Sequence, residues 1–359
     1  MKIDLKDVTL FSLLILLALT LNLNAAYGLG SGNAPSRPAP VCTTIATFSG
    51  IACIAVGPYP IAVAFDSHLK EIFVANFGLH GVGNTVSVIS DSTDKVIKTI
   101  KVGTGPYAFA FDPNKDEVFV ANDISATVSV ISDATNKVIK TITLPSGSCP
   151  DGIGFDSNLN EIFVADGCLN AVYVISDSTN KVIATVTVSG SPPPSPTGVA
   201  FDSNTKEVYV TNTGYYGGGN TVSVIPDSGP NANTVTTTIT LTGTYCAYGA
   251  AFDPNNDEIY VTNCESPNVS VISDSSNKVI ATVTVQSNPL GLAFDPTLNE
   301  IFVANLGSYS VSVISDSTNT VVNTIMGVCE SPWGIAFDSN TNQLFITNYY
   351  LNSVSVISP

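Results

Sequence analysis

The chain repeats one pattern of hydrophobic and polar positions seven times. In each copy, apolar residues alternate with other residues over a short segment that ends in a polar residue, as in EIYVTN at 258–263. The related segments are EIFVAN (71–76), EVFVAN (117–122), EIFVAD (161–166), EVYVTN (207–212), EIFVAN (300–305) and QLFITN (343–348). Such alternation, in segments rich in Val, Ile, Phe and Tyr, predicts β-strands. Seven copies indicate an array of small β units.

The dipeptide Phe-Asp marks the period of this repeat. Its phenylalanines are Phe65, Phe111, Phe155, Phe201, Phe252, Phe294 and Phe337, which gives spacings of 46, 44, 46, 51, 42 and 43 residues. One unit divides into four strands, called a to d here, at 105–111, 118–122, 128–132 and 138–144. Four short strands in about 40–45 residues are typical of a β-propeller blade. We therefore predict an all-β, seven-bladed propeller with four-stranded blades.

The two ends of the repeat region are predicted to share the last blade. The seventh unit ends at VSVIS (354–358), after its strand c, and so lacks a strand d. The segment IACIAV (51–56) precedes the first unit and aligns with the strand d sequence IKTIKV (97–102). Pairing this N-terminal strand with the last blade would remove open sheet edges, which invite aggregation.

Strand a combines small residues with the recurrent phenylalanine. Three residues before each Phe stands Ala or Gly, as at Ala108 and Gly152. Because the innermost strands of a propeller crowd around its axis, small side chains are expected to let them approach. The Phe itself, such as Phe111, is expected to belong to the core. The Asn that ends most copies of strand b is expected to bond the backbone of the following turn.

The negative charge of the chain restricts the partners of the protein. Only 12% of the 359 residues are charged, yet the net charge is −16 and the sequence pI is about 4.2. A phosphate backbone would be repelled, so nucleic acid is not expected as a partner.

The N-terminus resembles a targeting segment. An apolar run from Val8 to Leu23 is followed by NAAYG, which predicts a secretory signal over 1–26. Residues 27–40 form a Gly/Pro/Ser linker, and 41–359 form the propeller. The alternative is an uncleaved anchor, which would be the only reason to expect membrane contact. A secreted or cell-surface location follows from either interpretation.

Seven cysteines offer a test of the strand assignment. Cys149 and Cys168 begin and end the a–b hairpin of blade 3, and Cys246 and Cys264 do the same in blade 5. Neighbouring antiparallel strands bring Cα atoms to the roughly 5.5 Å that a disulfide needs, and export favours oxidation. We therefore predict these two links. Cys42, Cys53 and Cys329 remain; Cys42–Cys53 is one pairing, and one thiol stays unpaired within a monomer.

The two faces of the predicted ring differ. The lower face carries the a–b and c–d turns, which are nearly identical in all blades and contain Asp and Asn residues that cap turns through their side chains. Their D-x-N-x-D/N spacing is shared with calcium-binding EF-hand loops, but the Gly at position six and the Glu at position twelve are missing. Calcium is the ion to consider here, although we expect no cofactor and no metal site.

The upper face, formed by the b–c and d–a loops, varies from blade to blade and is rich in aromatic residues. Loops on a rigid scaffold commonly carry binding residues, and Tyr and Trp are typical interface anchors. Four residues before the Phe of strand a, at the predicted channel mouth, stand Tyr107, Asp151, Tyr248 and Trp333. We predict that these residues bind a partner from an exposed rim, flanked by Tyr215, Tyr216, Tyr349 and Tyr350.

Catalytic patterns are scarce. The two histidines, His68 and His80, fall on opposite faces, and nothing places a serine beside His80 for a triad. Acids on the upper face are the candidates for a metal at the channel mouth, namely Asp123, Asp151, Asp166, Glu265 and Glu330. We assign no catalytic residue.

YVTN stands literally at 209–212 and 260–263, with close variants in the other five blades. In these motifs, and over about residues 51–358, the chain resembles the YVTN-type β-propeller repeat proteins, which are common among archaeal surface-layer and bacterial secreted proteins. The resemblance implies the fold but names no catalytic residue. Our leading hypothesis is an exported, non-enzymatic propeller that binds a protein or glycan at the cell surface. The alternative is a metal-dependent hydrolase or lyase with its site at the channel mouth.

Overall fold

A computed structural model describes residues 51–190, 193–328 and 330–358, apart from the side chain of Tyr216. The predicted signal segment, the linker, Cys42 and Cys329 lie outside the described residues. Among the residues described, no helix is both long enough and apolar enough to cross a membrane.

Seven four-stranded antiparallel sheets form the blades of a propeller. Blades 1 to 3 are β2 (Pro60–Asp66), β3 (Glu71–Asn76), β4 (Thr85–Ser90), β5 (Lys95–Lys101); β6 (Pro106–Asp112), β7 (Glu117–Asn122), β8 (Thr127–Ser132), β9 (Lys137–Thr143); and β10 (Pro150–Asp156), β11 (Glu161–Asp166), β12 (Ala171–Ser176), β13 (Lys181–Thr187). Blades 4 to 6 are β14 (Pro196–Asp202), β15 (Glu207–Asn212), β16 (Thr221–Pro226), β17 (Thr237–Thr240); β18 (Ala247–Asp253), β19 (Glu258–Asn263), β20 (Asn268–Ser273), β21 (Lys278–Thr284); and β22 (Pro289–Asp295), β23 (Glu300–Asn305), β24 (Ser310–Ser315), β25 (Thr320–Met326). Blade 7 consists of β26 (Pro332–Asp338), β27 (Gln343–Asn348), β28 (Ser353–Ile357) and β1 (Ile51–Ala55).

Short 3-10 helices interrupt some of the connections between these strands. Within the described part of the chain they span Leu79–Gly81, Asp133–Thr135, Tyr215–Gly217, Leu306–Ser308 and Tyr349–Leu351. Four of the five lie in b–c loops, on the upper face, where the connections differ most between blades.

The N-terminal strand completes blade 7, as the sequence predicts. Antiparallel pairing between β1 and β28 runs from Ile51 opposite Ile357 to Ala55 opposite Ser353. The predicted seven-bladed architecture and its closure by a strand from the other end of the repeat region are therefore both confirmed.

The seven a strands contact one another in a ring around the central channel. Their small residues are needed there, because a Cβ atom on Gly152 would overlap the carbonyl oxygen of Thr197 in the next blade. A Cβ on Gly198 would overlap the carbonyl oxygen of Tyr248 in the same way. The predicted reason for the small residues is confirmed.

The hydrophobic core lies between neighbouring blades, and its largest members come from strand b rather than strand a. The aromatic side chain of strand b is essentially buried in every blade, at Phe73, Phe119, Phe163, Tyr209, Tyr260, Phe302 and Phe345. Phe111 of strand a is only partly buried and packs at the edge of the cluster between blades 1 and 2. The prediction that Phe111 belongs to the core is therefore confirmed only in part, because its ring packs against the cluster without being fully buried.

The letters of the repeat motif correspond to contacts between blades. The Tyr260 hydroxyl donates to Asn319 Oδ1 in the c–d turn of the next blade (2.6 Å), while Asn319 Nδ2 donates to Glu258 (3.2 Å). The Thr262 hydroxyl donates to the carbonyl of Leu290 in strand a of the next blade (2.7 Å). Glu, Tyr and Thr of EIYVTN therefore hold one blade to the next.

The asparagine that ends strand b acts within its own blade. Asn263 Nδ2 donates to Ser270 Oγ on strand c at 3.0 Å, and Asn76 Nδ2 makes the same bond to Ser87 Oγ. The expected bonding to the turn backbone is thus largely wrong: the buried amide pairs chiefly with strand c hydroxyls.

Candidate binding site at the channel mouth

The turns of the lower face share one hydrogen-bonding pattern. On the lower face, the aspartate that ends strand a caps its turn, as when Asp112 Oδ1 accepts from the Asn114 backbone N–H at 2.9 Å. The same bond recurs in the other blades, for example between Asp253 and Asn255. This confirms the predicted capping. The lower turns thus repeat one pattern, whereas the loops of the upper face differ between blades and carry the predicted binding residues.

Three aromatic residues from distant parts of the sequence meet at the upper end of the channel. The hydroxyls of Tyr107 and Tyr248 lie 2.8 Å apart, and Trp333 Nε1 donates to the Tyr248 hydroxyl at 3.2 Å. These residues come from blades 2, 5 and 7. The structure therefore brings together the three aromatic side chains that the sequence places at one mouth.

This aromatic group belongs to an apolar cap over the channel. The buried members of the cap are Ile61, Phe77, Cys246, Cys264, Leu290, Leu306, Trp333 and Tyr349, with Tyr59, Tyr107 and Tyr248 partly buried against them. Trp333 is only 7% exposed and Tyr349 only 3%. The expectation of an exposed rim is wrong for these two residues, because their rings turn inward and fill the space above the channel.

Acidic residues of blades 2 and 3 make the other side of the mouth polar. Asp166 accepts backbone N–H groups from Cys149 and Cys168, both at 3.0 Å, and the Tyr173 hydroxyl at 2.9 Å. Asp123, which is 2% exposed, has one carboxyl oxygen without a hydrogen-bond partner. Asp151 lies in strand a and lines the channel.

Two carboxyl groups at this mouth, those of Asp123 and Asp151, have raised pKa values. Burial, and then the charge of Asp166, raise the pKa of Asp123 to about 7. Burial, followed by the charges of Asp123 and Asp166, raises the pKa of Asp151 well above its ordinary value. Burial also raises the pKa of Tyr248 to about 12, so its hydroxyl stays neutral. The mouth therefore offers hydrogen-bond donors as well as acceptors.

The flanking tyrosines occupy different positions. Tyr349 stacks near Trp333, with ring centroids 5.2 Å apart, and Tyr350 contacts Tyr349 at 4.9 Å and is 44% exposed. Tyr215 is partly buried in the b–c loop of blade 4. The side chain of Tyr216 lies outside the described residues.

Tyr59 also belongs to the aromatic residues of the cap, although the sequence analysis did not predict it. Its ring centroid lies 5.1 Å from that of Tyr349 and 6.4 Å from that of Tyr350. The available signal was its place directly before the Pro that begins strand a. The residue at this place bonds the b–c loop in every blade, here through the Phe77 N–H donating to the Tyr59 carbonyl (3.2 Å).

Both predicted disulfides are present and border the mouth. Cys149–Cys168 has a Cα–Cα distance of 5.3 Å and Cys246–Cys264 one of 5.0 Å. Each joins a d–a loop to the b–c loop of the same blade. Cys53 is also disulfide-bonded, and the two cysteines left as its partner both lie outside the described residues. Disulfides are typical of proteins that mature in an oxidising compartment.

The channel below the cap has a volume of about 190 Å³ and is lined mainly by the small and aliphatic residues of the a strands. Tyr107, Asp151, Tyr248 and Trp333 all contribute to its lining. This space is too small for a macromolecule, so a large partner would contact the loops above it. The arrangement can bind through aromatic surface, hydroxyl groups and carboxyl groups.

No protein-family model matches the chain, and no curated protein matches it. Among solved structures, a chain of Kuenenia stuttgartiensis hydrazine synthase is similar, with a TM-score of 0.72 and 20% sequence identity. The similarity covers 89% of this chain and 99% of that chain. At this identity it establishes the fold alone. Fold and site together define a seven-bladed β-propeller whose channel mouth is aromatic on one side and acidic on the other.

Proposed function

We propose that this protein is an exported, non-enzymatic binding module that engages a protein or glycan at the cell surface through its upper face. The observation that carries the proposal is the distribution of exposed aromatic side chains. Among the residues whose side chains are described, every Phe, Tyr or Trp ring that is at least 36% exposed lies on that face: Tyr245 (60%), Tyr350 (44%) and Tyr309 (37%).

Two of these rings stand close together over the buried cap. Tyr350 is near both Tyr59 and Tyr309. Burial, followed by the hydroxyl groups of these two neighbours, raises the pKa of Tyr350. The Tyr349 ring contacts Tyr350 and packs in turn against Trp333. A rigid aromatic surface buries much area at little cost in side-chain entropy, which suits a sugar ring or an apolar patch of a protein.

The exported location is supported by two independent features. Two disulfides favour folding outside a reducing compartment, and the apolar run within 1–26 favours a secretory signal. The resemblance to YVTN-type repeat proteins agrees with a surface or secreted role.

The test compares matched variants on opposite faces. Wild-type protein, Tyr309→Ala/Tyr350→Ala and the lower-face control Leu159→Ala/Leu298→Ala are applied to immobilised cell-envelope polysaccharides and to solubilised envelope proteins. The leucines are 42% and 43% exposed, so the control removes comparable apolar surface. We expect the tyrosine variant to bind about 30-fold more weakly, as for interface hot spots, and the control to bind normally. Equal binding by all three proteins, or loss in the leucine variant alone, would refute the proposal.

The acidic side of the mouth favours a second candidate, a hydrolase or lyase that uses paired carboxyl groups. Burial raises the pKa values of Asp123 and Asp151, and the charge of Asp166 adds to both shifts, as in paired catalytic carboxyls. Turnover of an envelope polysaccharide that is lost in Asp151→Asn, while Tyr309→Ala/Tyr350→Ala stays active, would favour this enzyme over the binding module.

A further inference from the structure

Three potential metal ligands from two blades converge on the lower face. His68 lies in the a–b turn of blade 1, whereas Asp116 and Asp133 lie in the a–b and c–d turns of blade 2. His68 Nδ1 is 3.0 Å from Asp116 Oδ1 and 3.4 Å from Asp133 Oδ2. One ligand atom from each residue lies within 4.8 Å of the others, and the described residues contain no second set of this kind.

Two buried carboxylate oxygens beside this cluster lack hydrogen-bond partners. Asp133 is fully buried, and its Oδ1 has no hydrogen-bond partner. Asp66 is 1% exposed, lies against Asp133 across the blade boundary, and has an Oδ2 without a partner. Buried carboxylate oxygens that face each other are costly unless a cation or a proton lies between them.

At the next blade boundary, a cation lies beside Asp177, the residue equivalent to Asp133. There Lys115 Nζ lies 3.6 Å from Asp177 Oδ2 and donates to the Asp177 carbonyl at 2.7 Å. In the a–b turn of blade 1, the residue that aligns with Lys115 is Leu69. Among the described residues, His68 is the only basic side chain within 4.0 Å of the carboxylates at the boundary of blades 1 and 2.

We propose that His68, Asp116 and Asp133 bind one divalent transition-metal ion, best matched by Zn²⁺, which bridges blades 1 and 2. Ligands at about 2.0–2.2 Å in a tetrahedral arrangement lie about 3.4 Å from one another, close to the distances from His68 Nδ1. An imidazole with two carboxylates suits zinc better than calcium, which takes six to eight oxygen ligands. The exposed sides of His68 and Asp116 leave access for the ion and for a water as fourth ligand.

The experiment measures zinc binding to the full chain, prepared without an affinity tag, stripped with EDTA and alkylated at free thiols. Isothermal titration with ZnCl₂ is expected to give one site per chain and a raised melting temperature. His68→Ala and Asp116→Asn, both at exposed positions, should bind at least tenfold more weakly. The control His80→Ala removes the other histidine, which lies on the upper face, and should bind like the wild type. Co²⁺ in place of Zn²⁺ should give the intense visible absorption of a tetrahedral site, absent in His68→Ala.

Two results would overturn the proposal. Zinc binding that is unchanged in both His68→Ala and Asp116→Asn would place the ion elsewhere. Absence of zinc binding by the wild-type chain would show that no metal ion occupies this boundary.

Discussion

Single aromatic side chains fill the space between neighbouring blades. Phe119 on β7 is fully buried, because β7 lies between two other strands of its sheet and between two neighbouring blades. Phe111 on β6 packs against the cluster between blades 1 and 2 but stays partly exposed. Phenylalanines in adjacent strands of one blade therefore contribute differently to the stability of the fold.

Replacing these two residues separates their contributions. We expect Phe119→Ala to lower the free energy of unfolding by about 3–5 kcal/mol, since a large buried ring is lost and a cavity remains. Phe111→Ala should cost less, about 1–2 kcal/mol, because its ring is already partly hydrated. Urea unfolding of both variants measures the difference. A larger loss in Phe111→Ala would place the core on the channel side of the blades.

The sequence could predict position along the repeat but not burial at each position. Phe111 and Phe119 recur with equal regularity, so periodicity alone does not tell which ring lies between blades. Likewise, the shared place of Tyr107, Tyr248 and Trp333 in strand a predicts that they lie near one another. That they bond to each other and close the channel depends on the ring diameter and on side-chain rotamers, which the repeat pattern does not contain.

Among the elements, the a–b hairpins of blades 3 and 5 have an added covalent link. The loops of every blade are already joined by a backbone bond, which in blade 5 runs from the Cys264 N–H to the Cys246 carbonyl at 2.8 Å. In blade 3 the bond comes from Gly167, one residue before Cys168. The disulfides therefore reinforce an existing contact rather than create one.

Removing a disulfide should destabilise the fold without changing its shape. We expect Cys246→Ala/Cys264→Ala to lose about 2–4 kcal/mol of unfolding free energy, because the unfolded chain gains freedom. The Cys149–Cys168 link closes a loop of similar length, so Cys149→Ala/Cys168→Ala should lose a similar amount of unfolding free energy. Denaturant unfolding measures both, and peptide mapping without reduction identifies the links. A Cys168–Cys246 link would contradict the observed pairing of strands.

At the scale of the whole molecule, the ring depends on β1. Without it, β28 would present an unpaired edge in blade 7. Such edges pair with other chains.

Deleting residues 41–56 should therefore unfold the protein or convert it to oligomers. Light scattering coupled to size-exclusion chromatography, together with a melting curve, measures the outcome. The matched control deletes 1–40 and keeps β1, and it should leave the ring monomeric and unchanged in melting temperature relative to the longer chain. A 41–56 deletion that stays monomeric and equally stable would show that the ring closes without β1.

The stability of the whole ring should fall as pH rises through the acid range. Burial, followed by the charges of Asp202 and Asp257, raises the pKa of Asp274 to about 6 from an ordinary value of 3.8. The folded state therefore binds this proton more tightly than the unfolded state, and the stabilisation is lost between about pH 4 and pH 6. We expect a higher melting temperature at pH 5 than at pH 7.5 in EDTA. Asp274→Asn should reduce the difference in melting temperature between the two pH values. A wild-type melting temperature that rises from pH 5 to pH 7.5 would contradict the prediction.

Closure through β1 and β28 also sets the order in which the protein can be built. The paired residues Ile51 and Ile357 lie at opposite ends of the repeat region, so a ribosome releases one partner long before it makes the other. Blades 1 to 6 can each form as soon as their own strands have emerged, whereas blade 7 must wait for nearly the whole chain. Joining partners so distant in sequence makes the final step slow. Until then β1 remains an unpaired strand, which makes it the segment of the nascent protein most in need of protection by a chaperone.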